Sequence, residues 1–280
     1  MKKTHPSLLF GTGGVPHSAK TPASVDGIRR LQELGLGCME LEFVRGVKMG
    51  EATAKLVARA SALNRIRLTV HAPYYINFNA RQEEKRLGSQ EMLLNSARAA
   101  ALCGAEGVVF HAAFYMGDSP EETYARTKGQ LVDVMAQLRK ERIRVWIRPE
   151  VMGKGSEFGT VDELLRLSND VEGIMPAIDF AHWHARGGKY NSYREFMSVL
   201  RRVERGLGRK ALDNLHVHLS GIKYGHKGEL AHLNLRESDF RWMDLLRAFR
   251  DVDAKGFVIC ESPSLEEDAQ LLKQTYDALT

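Results

Sequence analysis

The chain has 280 residues, of which 44% are hydrophobic and 27% are charged, and its formal net charge is +5. No apolar run approaches the roughly 18 residues that cross a bilayer, and the opening MKKTHPSLLF is too polar for a signal peptide. Three scattered cysteines, Cys38, Cys103 and Cys260, argue against a disulfide framework and a cysteine zinc site. We expect a cytoplasmic globular protein with no membrane partner, and the charge favours a polyanionic partner only weakly.

Apolar runs alternate with amphipathic stretches along the chain. The predicted strands are residues 7–12, 37–44, 67–71, 106–111, 143–149, 174–179, 214–219 and 256–260. The predicted helices lie near residues 23–34, 50–64, 84–103, 119–140, 160–169, 191–205, 237–250 and 264–279. Eight strand–helix pairs predict an α/β fold, a (β/α)8 TIM barrel that forms one domain over residues 1–280. A doubly wound open sheet is the alternative, but no GxGxxG motif follows the first strand.

The segments between these elements are short, and the longest predicted loops are residues 187–190 and 221–228. The second strand, CMELEFV, alternates apolar and acidic residues. Glu40 and Glu42 therefore share one face, which in a barrel is a candidate for the lumen.

Potential metal ligands stand at the ends of predicted strands 3 to 8. They are His71, His111, Glu150, Asp179 with His182 just after it, His218 and Glu261. The C-terminal ends of the strands carry the active site of a parallel barrel, and histidine and carboxylate are ligands of zinc, manganese and iron. A lone strand-end histidine is more often a hydrogen-bonded or surface residue, and a lone carboxylate often caps a helix. Six such coincidences at equivalent positions favour a polynuclear metal centre, in which Glu150 can bridge two ions.

A second cluster follows strand 7 in HLSGIKYGHKGELAHLNL, which offers His226, Glu229 and His232. His182 could face this loop and hold a third metal with His232 and a carboxylate. His226 and the nearby His184 are interpreted as exposed histidines or as histidines behind the ligands.

Six of these motifs together resemble one known family. They are HAPYYIN, VFHAA, PE before a glycine-containing stretch, IDFAH, HLSG and ESP. They resemble the endonuclease IV family of apurinic/apyrimidinic (AP) endonucleases, among the xylose-isomerase-like TIM barrels, over nearly the whole chain. The resemblance implies a DNA-repair hydrolase that cleaves the phosphodiester 5′ of an abasic site by metal-activated hydroxide. It also implies two or three Zn²⁺ ions, with Mn²⁺ or Fe²⁺ as alternatives, a double-stranded DNA partner and a monomer.

The resemblance also implies a role for each residue that matches a motif. One metal would be held by His71, His111 and Glu150. The second would be held by Glu150, Asp179, His218 and Glu261. The third would be held by His182 and His232. Glu150 and Glu261 would be the catalytic residues. Tyr74 and Tyr75 match a loop that enters the DNA minor groove, and Arg45 lies in the region of a DNA contact. Packing of the two tyrosines under a loop is the alternative.

The chain departs from the family pattern at the third metal. The family has an Asp-Arg-His motif, and the corresponding stretch here is Leu230-Ala231-His232. Glu229 lies one residue earlier, and its longer side chain could substitute for the aspartate. The family's aspartate after the strand 7 histidine is also missing within HLSG, so the chain resembles a divergent branch.

Two other functions remain open on the same scaffold, because barrels host many chemistries. A sugar isomerase or epimerase would need one metal held mainly by carboxylates, and a vestigial site would bind damaged nucleic acid without cutting it. The many histidines favour the nuclease, which also predicts a basic crescent around the barrel mouth. Its members would be Lys154, Arg186, Lys189, Lys223 and Lys227.

Overall fold

The computed structural model describes residue 5 and residues 7–279, and its centre is a sheet of eight parallel strands. The strands are β1 (Leu8–Gly13), β2 (Cys38–Glu42), β3 (Arg67–His71), β4 (Gly107–Phe110), β5 (Trp146–Pro149), β6 (Ile178–Asp179), β7 (Leu215–Leu219) and β8 (Gly256–Cys260). Their order in the sheet is β5-β4-β3-β2-β1-β8-β7-β6. Parallel bridges from Ile147 to Ile174 and from Glu150 to Ala177 join β5 to the segment that leads into β6. These bridges connect the two edges of the sheet and complete the barrel.

A long helix follows each strand, directly or after a loop. The helices are α1 (Ser24–Glu33), α2 (Glu51–Asn64), α3 (Glu83–Cys103), α4 (Pro120–Lys140), α5 (Val161–Asp170), α6 (Tyr193–Leu207), α7 (Trp242–Asp251) and α8 (Glu266–Asp277). The predicted single-domain TIM barrel and all eight strand–helix pairs are confirmed. Within the described ranges, no helix has the length and apolarity needed to span a bilayer.

Local sequence explains where several helices begin. Ser119 accepts a hydrogen bond from the backbone of Glu122, whose side chain bonds back to the backbone of Ser119, which is a capping box. Thr160 and Glu163 form the same arrangement at the start of α5. Asp179 caps the short helix Phe180–Ala185, so the strand-end carboxylate also fixes the turn that carries His182.

The segment after β7 differs from the prediction. We expected a long loop at 221–228, but Gly221–Gly225 and Gly228–Leu233 pair as an antiparallel hairpin. Two short segments, Ala113–Phe114 and Glu157–Phe158, form a second antiparallel pair after β4 and β5. Both additions lie at the C-terminal end of the barrel, where the predicted site is.

Strand residues alternate between the surrounding helices and the barrel lumen. Met39 and Leu41 are fully or almost fully buried in the main core, whereas Glu40 between them reaches Thr69 and His218 across the lumen. Because alternate residues share a face, Thr69 and His71 of β3 both face the lumen. The prediction that Glu40 faces the lumen is therefore correct. The candidate ligands at the strand ends lie on the same lumen-facing side as residues deeper in the barrel.

Candidate metal centre

Three predicted ligands meet at the ends of β3, β4 and β5. The Nε2 atoms of His71 and His111 each lie 3.2 Å from the same oxygen, Oε2 of Glu150. These donor atoms all lie within 4.8 Å of one another. The structure thus brings together the first predicted group of ligands.

A second group lies beside the first and shares Glu150 with it. His218 Nδ1 lies 3.1 Å from Glu150 Oε1 and 3.3 Å from Glu261 Oε1. Asp179 completes a set of four donors whose ligand atoms lie within 4.8 Å of one another. The two oxygens of Glu150 therefore face different groups, which is the geometry that a bridging carboxylate needs.

The third group joins the short helix after β6 to the hairpin. His182 Nε2 lies 3.2 Å from His232 Nε2 and 3.4 Å from Glu229 Oε2, and Glu229 Oε1 lies 4.0 Å from His232 Nε2. Asp179, His182 and His232 also place their donor atoms within 4.8 Å of one another. Glu229 therefore lies beside a group of three potential ligands, where the sequence analysis expected a carboxylate.

Close backbone contact holds the hairpin in this position. The Glu229 N–H donates to the carbonyl of Gly153 in the loop after β5 (3.2 Å), and Lys154 bridges to Gly228. A Cβ on Gly228 would lie 2.2 Å from the Gly153 oxygen, and its φ of +104° also requires glycine. A Cβ on Gly153 would lie 2.8 Å from the Glu229 Cβ, so these two glycines allow Glu229 to approach His182.

An unpartnered oxygen shows that the second group suits a cation. Asp179 Oδ1 accepts the backbone N–H of His182 (2.7 Å), but the buried Oδ2 has no hydrogen-bond partner among the described residues. Such orphan acceptors are rare in folded proteins. Oδ2 lies 3.4 Å from the nearest histidine nitrogen, Nδ1 of His182. Histidine and carboxylate donors without thiolates fit zinc, manganese or iron.

The charges of the site are strongly coupled. Burial raises the pKa of Asp179 to about 6. Burial acts in the same direction on Glu150, but His218 and hydrogen bonds from His111 and His182 hold its pKa well below the usual range. Burial disfavours a charged His71, yet its hydrogen bond to Glu150 and the nearby carboxylates raise its pKa to about 10. Without metal, His71 thus holds a proton that a bound cation would displace.

The metal centre opens into a cavity of about 440 Å³ with exposed aromatic residues at its mouth. Tyr74 and Tyr75 are 45% and 58% exposed, their ring centroids lie 4.3 Å apart and their hydroxyls 2.9 Å apart. They are not packed under a loop, which excludes that alternative. Arg45 is exposed and close enough to act electrostatically on the Tyr75 hydroxyl.

The residues of the predicted basic crescent differ in their surroundings. Lys189, Lys223 and Lys227 are exposed. Lys154 pairs with Glu157 at 3.7 Å, and Arg186 donates to the carbonyls of Met152 and Glu157. Arg186 therefore also holds the loop after β5 in place.

The two remaining histidines of this region fit their interpretation. His226 is exposed in the turn of the hairpin. His184 is buried behind the site, where Nδ1 lies 2.8 Å from the Lys189 carbonyl and the ring packs against Tyr224 and Phe240.

Sequence reasoning missed a buried group directly beneath the ligands. Glu40, His216 and His218 place their donor atoms within 4.8 Å of one another, and all three side chains are 0% exposed. The signal was present, since the period of two in LHVHLSG puts His216 and His218 on one face.

Comparisons with known proteins place this architecture in a family. The sequence profile of the xylose isomerase-like TIM barrel family matches residues 28–279. The chain therefore belongs to this family. An uncharacterised relative from Methanocaldococcus jannaschii is 44% identical over 274 residues, which cover 97% of this chain and 98% of the relative. A probable endonuclease 4 of Mycoplasma pneumoniae is 27% identical over 208 residues, or 72% of this chain and 70% of that protein.

Solved structures of the family show the same barrel with two kinds of named activity. Endonuclease IV from Thermus thermophilus has a TM-score of 0.75 at 20% identity and covers 98% of this chain and 100% of its own. A D-tagatose 3-epimerase-like protein has a TM-score of 0.71 at 18% identity and covers 95% of this chain and 96% of its own. At these identities the similarity establishes the fold, and the chemistry must be argued from the site.

Proposed function

We propose that this protein is a metal-dependent DNA-repair phosphodiesterase that cleaves 5′ of abasic sites. The observation that carries the proposal is the third group of donors, which consists of His182, Glu229 and His232. It lies beside Glu150, the carboxylate that faces both the first and the second group. An epimerase that uses one metal has no need of this group. Relatives named endonuclease 4, such as that of Mycoplasma pneumoniae, add support at low identity.

The ligand sets follow from the three groups of donors. His71, His111 and Glu150 would hold one ion, and Glu150, Asp179, His218 and Glu261 a second. His182, His232 and Glu229 would hold the third. Bound Zn²⁺, or Mn²⁺ or Fe²⁺ in its place, would supply a nucleophilic water at neutral pH and offset charge on a phosphoryl oxygen.

The protein's own groups position the reaction. Glu150 holds the first two groups together, and Glu261 lines the cavity, where it is placed to accept the proton of the attacking water. The water oxygen would form a bond to phosphorus as the bond from phosphorus to the 3′-oxygen of the preceding nucleotide breaks, and the proton that the water loses would end on that 3′-oxygen.

The mouth of the cavity suits a damaged duplex. Tyr74 and Tyr75 form an exposed aromatic pair that can fill the space beside a missing base, and the exposed Arg45 would bind a phosphate of the backbone. Lys223 and Lys227 extend the positive surface along the hairpin. We expect a cytoplasmic monomer that binds double-stranded DNA.

A sugar epimerase is the second candidate, and one observation favours it. Glu150, Asp179, His218 and Glu261 form a self-sufficient set that could hold a single ion. Two carboxylates on such an ion could also serve as general acid and base.

The deciding experiment is a nicking assay on a duplex with one tetrahydrofuran abasic analogue. We expect Zn²⁺- or Mn²⁺-dependent cleavage on the 5′ side of the analogue and none in the matched intact duplex. Epimerisation of free ketoses by the same metal-loaded protein, with no nicking, would replace the nuclease with the second candidate.

A further inference from the structure

A fully buried carboxylate lies in the barrel lumen one layer beneath the metal centre. Glu40 is 0% exposed, and its Oε1 lies 2.7 Å from His218 Nε2. Its Oε2 accepts a hydrogen bond from the Thr69 hydroxyl at 2.7 Å and lies 3.0 Å from His216 Nε2. Hydrogen bonds with Thr69 and His218, on two other strands, thus fix both oxygens of Glu40.

His218 connects this carboxylate to the candidate ligands. Its Nδ1 lies 3.1 Å from Glu150 and 3.3 Å from Glu261, on the side of the ring opposite Glu40. The hydrogen bond at one imidazole nitrogen determines which nitrogen is left to bind a metal. Because Nε2 must carry a proton to bond with Glu40, Nδ1 is the nitrogen that would give up its proton and present a lone pair to a cation in the second ligand group.

We propose that Glu40 is a positioning residue that fixes the ring orientation and tautomer of His218, so that Nδ1 binds the second metal ion. The Thr69 hydroxyl holds Glu40 in that position by a hydrogen bond, and the His216 ring lies beside the same oxygen. Carboxylates behind metal-bound histidines act in this way at many metal sites. The inference rests on the proposed metal centre but does not depend on whether the substrate is DNA or a sugar.

A carboxylate at this position accepts two hydrogen bonds and carries a charge. His218 Nε2 and Thr69 Oγ1 both donate, one to each oxygen of Glu40. A glutamine has the same shape but only one acceptor oxygen, so the Thr69 hydroxyl would have to accept instead of donate, and the bond from His218 would lose its charged acceptor. The substitution Glu40→Gln therefore disturbs the hydrogen bonds with almost no change in volume.

Zn²⁺ affinity tests this role without any assay of activity. We expect Glu40→Gln to lower the affinity for one Zn²⁺ ion by roughly 10–100-fold, measured by competition with a chromophoric chelator. The visible absorption of the Co²⁺-loaded protein should shift, because His218 would bind in a changed orientation. Glu106→Gln is the matched control, since Glu106 is a buried carboxylate paired with Arg67 at the opposite end of the barrel. It should leave Zn²⁺ affinity and the Co²⁺ spectrum unchanged.

A second variant covers the case in which Glu40→Gln does not fold. Thr69→Val keeps the charge of Glu40 but removes one of its hydrogen bonds, and we expect a smaller loss of Zn²⁺ affinity with a shifted Co²⁺ spectrum. Folded variants with wild-type affinity and an unchanged spectrum would overturn the inference. Wild-type protein that binds Zn²⁺ but does not nick abasic DNA would instead refute the proposed function alone.

Discussion

Glu150 connects the parts of the metal centre at the scale of single residues. Its Oε2 faces His71 and His111, while its Oε1 faces His218 and His182. Two oxygens with separate sets of neighbours allow one side chain to serve two ions. Asp179 has a comparable double role, because one oxygen caps a helix and the other faces the site.

Among the candidate ligands, Glu261 is the most exposed carboxylate at the end of a strand, with a side chain that is 17% exposed. We expect Glu261→Gln to preserve the fold but to lower Zn²⁺ affinity and turnover by more than the roughly 10–100-fold typical of residues behind ligands. Chelator competition and circular dichroism measure the two effects. Retention of full affinity and activity would remove Glu261 from both of its assigned roles.

The coupled histidines predict how the stability of the metal-free protein depends on pH. The pKa of His71 is raised from 6.5 to about 10 in the folded state, and those of His182 and His218 are also raised. The protonated histidines therefore add to the free energy of unfolding. This contribution is fully present below pH 6.5 and is lost as the pH rises towards 10, because the folded chain holds protons that the unfolded chain has released.

Urea unfolding of zinc-free protein at pH 7 and pH 9 should show the lower midpoint at pH 9. His71→Gln should reduce the difference, and saturating Zn²⁺ should reverse it, because metal binds the deprotonated ligands. A midpoint that rises between these two pH values would contradict the assignment.

At the scale of secondary-structure elements, the hairpin after β7 positions the third group of donors. It carries both Glu229 and His232, and it docks on the loop after β5 through the Gly153–Gly228 contact. The sequence showed the donors, but it gave no sign that they would be held by pairing between two distant loops. Glycine at the contact is what lets Glu229 approach His182.

Gly153→Ala tests this docking. The added Cβ would lie 2.8 Å from the Glu229 Cβ, so the hairpin must move and the third group must open. We expect bound metal, measured by elemental analysis after reconstitution, to fall by about one ion per chain with little loss of stability. Gly155→Ala is the control, because its Cβ would meet nothing within 4 Å. Equal metal content in both variants would show that this contact does not position Glu229.

The barrel brings distant parts of the sequence to one face at the scale of the whole molecule. Parallel strands converge with their C-terminal ends on the same side, so ligands from residue 71 to residue 261 form one centre. The exposed lysines of the hairpin lie at this face, whereas the C-terminal ends of the helices lie at the other. The net charge of +5 is therefore less informative than its distribution.

Salt dependence tests that distribution. If Lys223 and Lys227 contact phosphates, replacing both with alanine should weaken binding to abasic duplex and reduce the salt slope by roughly 1 per lysine. Lys140→Ala is the matched control, because Lys140 ends α4 at the opposite face of the barrel. An unchanged slope in the double variant would place the DNA elsewhere.

The sequence by itself determined the barrel and the six strand ends where the candidate ligands lie, because strand period, strand–helix alternation and strand ends are local properties. It also showed that Glu40 faces the lumen, but not what Glu40 contacts. Only the tertiary structure decided that Thr69 holds Glu40 beneath His218, and that the hairpin brings Glu229 to His182. These contacts join residues far apart in the chain, and their distances depend on barrel closure and on two glycines, which no local pattern encodes.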